Sequence, residues 1–336
     1  MNNINTDINN SMYTELSQMN QNFFKVNILE IEPTTQDIKE NIFEQDLSNL
    51  VDDLINLLLE EINKGKERRI RKKFILNYLH NHKISLQEIN KWLLYNQNSS
   101  NSIYLLGYFN YHGIEIEINM QNSFKLCQKA AELGNIVAQH DLAIMYVDGE
   151  GVDVDYGKAF ELSKKLSEEK YTCGINLLGT CYDDGIGTDI DKSKAFELYQ
   201  KAAYLGNIFG ILNLGFCYRN GFGTDVNKKK AFELFKVAAG LGNLHAMHSL
   251  ACCYKNGLGT DVNKKKAFEL FQKTADVGYN IAQQNLARMY EKGYGTNKNI
   301  DKAIYWYKKS AEQGNKYSQN KLNQFLNEEC DTYFEF

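Results

Sequence analysis

Apolar residues recur at three- and four-residue spacing in short runs from about residue 99 onward, and the runs themselves recur every 36 residues. Glycines mark the beat at Gly113, Gly149, Gly185, Gly221, Gly257 and Gly293, and from the second onward a further glycine follows two positions later, at Gly151, Gly187, Gly223, Gly259 and Gly295. In the unit 207–242, the pattern predicts a first helix over 207–219, a turn at Gly221-Phe222-Gly223-Thr224, and a second helix over 228–241 closed by Gly242. Self-similarity at such a period means stacked supersecondary units, none able to bury its apolar face alone. The expected fold is all-α, a right-handed α-solenoid of helix-turn-helix repeats behind an N-terminal helical block.

Aligned columns within the chain separate packing from everything else. Position 210 reads Ser102, Ala138, Gly174, Gly210, Ala246, Ala282, and position 215 reads Gly107, Ala143, Gly179, Gly215, Ala251, Ala287, so helices are expected to approach closely there. Leu142, Leu178, Leu214, Leu250 and Leu286 fill the core between them, with Cys181, Cys217 and Cys253 sharing a buried column with Met145 and Met289. Ahead of each second helix stands Asn119, Asp155, Asp191, Asn227, Asn263 or Asn299, the residue types whose side-chain oxygen caps free helix amides. The unit 135–170 is degenerate, with Lys170 in place of the closing glycine, and predicts a local irregularity.

Upstream, the pattern changes. Residues 1–45 are rich in Asn, Gln and Asp without a sustained period and are expected to be flexible. Residues 46–97 form a helical block. Leu47, Leu50, Val51, Leu54, Leu58 and Ile62 make one apolar stripe ended by Gly65, Phe74, Ile75, Tyr78 and Leu79 lie on a second helix, and Ser85 with Glu88 opens a third as a capping box. This block is a candidate N-terminal cap on the array, which occupies 98–336 and ends in a closing helix.

The combination of a small–Leu–Gly/Ala–Tyr first helix, a Gly-x-Gly turn, and a Lys-Ala-Phe-Glu-Leu second helix ending Ala-Ala-x-x-Gly resembles the Sel-one-like repeat family, a tetratricopeptide-like class. The resemblance runs through six units over about 99–314. It implies an interaction scaffold whose first helices line a concave groove. The 47–97 block is similar to a segment preceding such arrays in fungal proteins, some of which carry a protein kinase upstream. That likeness implies an adaptor beside a kinase or other signalling protein. Here no phosphate-binding glycine loop, His-Arg-Asp or Asp-Phe-Gly accompanies the array.

Composition narrows the classes. A net charge of -4 speaks against nucleic acid as a partner, and no apolar run reaches the roughly 18 residues a membrane span needs. The start MNNINTDINN lacks the basic and apolar regions of a secretory signal, so the expected location is cytoplasmic, with the nucleus as the alternative. The basic run Lys64–Lys73 reads as a solvated helix start, against an import signal or an acidic-partner patch. Chemistry candidates are weak. His245 and His248 with Cys252 lack a fourth metal ligand. The order of Asp183, Asp184, Asp189 and Asp191 is wrong for a calcium loop. Ser167 and Lys170 stand without companion motifs. No cofactor and no catalytic residue are expected, and a hydrolase is the least supported alternative.

With roughly 100° per residue, positions 140, 141 and 144 of a first helix turn away from its packing stripe. These columns vary between units while the packing columns stay nearly fixed. The expected partner-binding residues are His140, Asn176, Asn213, Phe216, His248, Gln284 and Arg288. Asn, imidazole and apolar groups together suit a protein segment held by backbone hydrogen bonds and a few apolar anchors.

Overall fold

The computed structural model describes residues 44–66 and 68–334, so the expectation for the extreme N-terminus lies outside the described residues. All secondary structure among them is helical. The N-terminal block supplies α1 (Glu44–Asn63), α2 (Arg68–Asn81) and α3 (Leu86–Tyr95). First and second repeat helices then alternate: α4 (Ser100–His112) with α5 (Met120–Glu132), α6 (Ile136–Asp148) with α7 (Tyr156–Glu168), α8 (Thr172–Asp184) with α9 (Lys192–Tyr204), α10 (Ile208–Asn220) with α11 (Lys228–Gly240), α12 (Leu244–Asn256) with α13 (Lys264–Asp276), and α14 (Asn280–Lys292) with α15 (Ile300–Glu312). A closing helix, α16, spans Lys316–Phe334. Two compact units divide the chain. One runs up to Leu214 and includes 222–224, and the other holds Gly215–Gly221 and Asp225–Phe336. Within each, successive repeat helices pack on one another as in a solenoid. Among the described residues no helix is long and apolar enough to cross a membrane.

The local chemistry follows the column logic. Asn119, Asp155, Asp191, Asn227, Asn263 and Asn299 each accept a hydrogen bond from the amide three residues on, at 2.8–3.0 Å. The first glycine of each turn is a left-handed C-cap, as at Gly257, where φ is 69°. The second has a different job. A Cβ on Gly187 would overlap the Tyr156 carbonyl, and one on Gly259 the Lys228 carbonyl, each at the start of the preceding repeat's second helix. The turn thus docks backbone to backbone on the repeat before it. The cysteines at 181, 217 and 253 are buried and carry no disulfide, as their column implies.

The degenerate unit keeps its path. Lys170 adopts φ 66°, where the equivalent glycines lie between 82° and 90°, and α8 has the same 13 residues as its counterparts. What differs is the start of the next helix, a feature shared with the helix that Tyr279 precedes. Tyr171 precedes α8 with no side-chain bond to it, whereas Asn135, Asn207 and Asn243 cap α6, α10 and α12.

α1 solves that deficit. Its C-terminal residue, Asn63, accepts the Cys173 amide on Oδ1 at 3.3 Å and the Thr172 hydroxyl on its carbonyl at 2.5 Å. The same carbonyl accepts from Asn207 Nδ2 at 2.9 Å, and the Lys64 carbonyl takes the Ile208 amide at 2.9 Å. Gly65, at φ 74°, fits where a Cβ would meet the Asn207 side chain and the Ile208 amide. Along its length α1 packs against α4, α6 and α8, the first helices of three consecutive repeats. Leu47, Val51, Leu54, Ile55, Leu58 and Ile62 are buried there. At roughly 1.5–3 kcal/mol per side chain, that stripe is worth on the order of 10 kcal/mol gross, far more than any single polar contact beneath it. The capping box opening α3 is present, with Ser85 Oγ accepting the Glu88 amide at 3.1 Å and the Glu88 carboxylate accepting the Ser85 amide at 3.2 Å.

Candidate functional site

The first-helix face is in two chemical states. Over the first three repeats the N-terminal block covers it. α4 is buried continuously from Ser102 to Asn110 and α6 from Val137 to Ala143, a pattern of helices enclosed on all sides. Beneath the block lies a polar network. Arg71 Nη1 donates to Asp141 Oδ1 at 2.9 Å, Tyr104 OH donates to Asp141 Oδ2 at 2.9 Å, and His140 Nδ1 lies 3.0 Å from Asp141 Oδ1. Burial, followed by the Asp141 charge, holds the Tyr104 hydroxyl well above its ordinary pKa, so it remains a donor. Lys72 Nζ donates to the His112 carbonyl at the end of α4 at 3.1 Å.

These contacts correct the reading of Lys64–Lys73 as a uniformly solvated run. Lys64 is exposed and pairs with Glu60 and Glu61, but Arg71 is only 3% exposed. His140, expected to face a partner, is 9% exposed and faces this network instead. Asn176 and Asn213 are half-buried and bonded to each other, Asn213 Nδ2 donating to Asn176 Oδ1 at 3.1 Å.

In the other unit the face carries no block helix among the described residues, and its first helices are buried periodically. The Phe216 ring lies 5.1 Å from Phe235 and under the Arg219 guanidinium at 4.7 Å. His248 receives the Asn285 amide at 3.2 Å and sits near the Phe271 and Tyr279 rings, each at 5.5 Å. Burial first, then the positive charges of Lys255, His245 and Arg219, push His248 down to about 4, so it is neutral near pH 7. Lys255 Nζ donates to Asn285 Oδ1 at 3.1 Å and lies over Phe271 at 5.7 Å. Gln284 accepts from Asn315 Nδ2 at 2.8 Å, and exposed Arg288 lies over Tyr317 at 5.6 Å.

All seven expected residues therefore sit on first helices, His140, Asn176 and Asn213 in one unit and Phe216, His248, Gln284 and Arg288 in the other. Column comparison missed Asp141 as the anchor of the covered half, and Tyr279 and Lys255 as organisers of the other. A usable signal existed: the α4 and α6 sequences are apolar nearly all round, as for an enclosed helix, while that of α14 is not. The His245 and His248 rings flank Tyr279, and among the described residues no group of three or more His, Cys, Asp or Glu is arranged to hold a metal. Asp183 is tied to Lys192 at 2.6 Å and Asp191 caps α9. On the second-helix side, an open depression of about 800 Å³ lies between α5 and α7, lined by Gln128, Glu132, Glu161 and Lys165 among others.

Stacked helix pairs define a helical-repeat protein. The Sel1 repeat matches residues 100–135, 136–171, 174–207, 209–243, 244–279 and 280–315, and the chain belongs to the Sel1 repeat family. Proteins of this family are generally protein-interaction scaffolds. Among solved structures, the chain is similar to c5321, a protective antigen of uropathogenic Escherichia coli strains with an SLR fold, at 28% identity and a TM-score of 0.55 over 74% of this chain. It spans about half of that antigen, 52%. It is also similar to a Sel1 repeat protein from Oxalobacter formigenes, at 25% identity and a TM-score of 0.60, covering 69% of this chain and 93% of that one. No curated protein matches the sequence.

Proposed function

We propose that this chain is a non-catalytic protein-interaction scaffold that binds a partner protein on the first-helix face of its later repeats. The observation that carries the reading is the contrast along that face. Over α4, α6 and α8 it is filled by the protein's own amphipathic helix α1, while on α12 and α14 the same columns carry exposed or half-buried His245, His248, Ile281, Gln284 and Arg288. The α1 contact supports the view that this face suits a helical segment laid across several repeats. Phe216, His248, Gln284 and Arg288 are the partner contacts in this reading. His140, Asn176 and Asn213 serve the covered half. An adaptor working beside a protein kinase is a narrower form of the same reading, resting on resemblance, and co-purification of a kinase tests it.

The experiment is affinity purification from cells that express the protein, with the chain as bait and a Gln284→Ala/Arg288→Ala bait as control. A partner kept by the first and lost by the second, at unchanged thermal stability, supports the reading. A partner held equally by both moves the site to another surface.

A further inference from the structure

The charges on the first helices are sorted along the chain. In α4, α6 and α8 the ionised side chains are acidic: Asp141, Asp148, Asp183 and Asp184. From Gly215 onward they are almost all basic: Arg219, Lys255, Arg288, Lys292, Lys316 and Lys321, against Glu291 alone up to Phe325. Glu291 is already satisfied, accepting from Tyr307 at 2.7 Å and pairing with Lys292 at 3.1 Å and Lys321 at 3.4 Å.

Among the described residues, three of the cations, Arg219, Lys255 and Arg288, have no carboxylate partner and lie over aromatic rings. Arg219 donates to the neighbouring Asn220 at 3.1 Å, Lys255 donates to Asn285, and Arg288 lies over the Tyr317 ring. Each is instead spread over an aromatic ring, Phe216, Phe271 or Tyr317. A cation stacked this way is held in place with its outward side in solvent, ready for an anion. The fields of two of them overlap, since Lys255 and Arg219 both act on His248. Apolar anchors stand beside them, with Ile281 41% and Tyr317 40% exposed.

Resting on the scaffold reading, we propose that this face takes an acidic, amphipathic helical segment of a partner protein, its carboxylates meeting Arg219, Lys255 and Arg288 and its apolar side meeting Ile281 and Tyr317. The helical form is argued from α1, which crosses the first-helix face of earlier repeats with its apolar stripe inward. The acidic character is argued from the cations.

The test uses the full chain and two fluorescent synthetic peptides that share one leucine stripe, one flanked by glutamates and the other by lysines, read by anisotropy. The glutamate peptide is expected to bind about tenfold or more tightly than the lysine peptide, with affinity falling as salt rises. Arg219→Glu/Lys255→Glu/Arg288→Glu should abolish that preference, and the milder Arg→Gln and Lys→Gln set should reduce it with melting temperature preserved. Equal binding of the two peptides, or a preference untouched by the variants, overturns the inference. So does tighter binding of a single-stranded oligonucleotide, self-association of the chain blocked by the same variants, or a gain in peptide affinity on deleting residues 1–43, since each names a different occupant. A cellular partner that is not acidic, but is lost with Gln284→Ala/Arg288→Ala, would leave the scaffold reading standing while removing this one.

Discussion

Arg71 and Asp141, 70 residues apart in the chain, meet at 2.9 Å beneath the N-terminal block, with the Arg71 side chain 3% exposed. The pair fastens α2 to α6, and Tyr104 and His140 also contact the carboxylate. A charge buried in this way is tolerated only while its partner is present.

Removing one side should therefore cost more than removing both. Asp141→Asn takes the carboxylate away from the buried guanidinium and is expected to cost about 3 kcal/mol in urea unfolding. The double variant Arg71→Met/Asp141→Leu should recover a large part of that loss. A single-variant cost below about 1 kcal/mol would mean the pair does not hold the block.

Asn63 acts as a cap delivered from another element. Asn63→Ala removes the acceptor of the Cys173 amide but leaves the backbone carbonyl that Thr172 and Asn207 use. The expected loss is about 1 kcal/mol, with faster hydrogen exchange at Cys173 and unchanged exchange at Gly210, which Asn207 caps. Equal acceleration at both amides would point to loosening of the whole block.

Two backbone positions should respond in opposite directions. Lys170→Gly relieves a left-handed residue at φ 66° and should stabilise by about 1 kcal/mol. Gly259→Ala forces a methyl group into the Lys228 carbonyl at φ 71° and should destabilise by several times that amount, about 3 kcal/mol or more. Differential scanning calorimetry distinguishes the two, and a neutral Gly259→Ala would refute the backbone docking of the turns.

His248 gives a pH signature. Its folded pKa is lowered from 6.5 to about 4 by burial and by the Lys255, His245 and Arg219 charges. Between those values the unfolded chain holds a proton that the folded chain does not. Stability from this residue is full above about pH 6.5 and falls as pH drops toward 4, by about 3 kcal/mol in all. His248→Gln should remove that part of the acid sensitivity, seen as a smaller shift of the urea midpoint between about pH 7 and pH 4.5. An identical shift in both proteins would place His248 in contact with solvent.

The repeats were legible because their causes are local. Glycine at Gly257 and asparagine at Asn263 report a left-handed cap and a helix start within a few residues of themselves, and the period multiplies each observation. The docking of α1 was not legible. Its stripe is plain, but which face it covers depends on Arg71 finding Asp141 and on Asn63 finding Cys173, contacts with no local signature. The run Lys64–Lys73 looks uniform in sequence, yet one of its members is buried while Lys64 stays in water. For the candidate site, the variable columns were readable. That His140 and Asp141 lie under α2 was hidden for the same reason.

Site-specific photocrosslinking measures the central claim most directly. A photoreactive residue at Ile281, on the first-helix face, is compared in cells with one at Glu233, on the second helix α11. The scaffold account predicts one recurrent protein crosslinked from Ile281 and absent from Glu233. The same protein captured from Glu233 and not from Ile281 would contradict it.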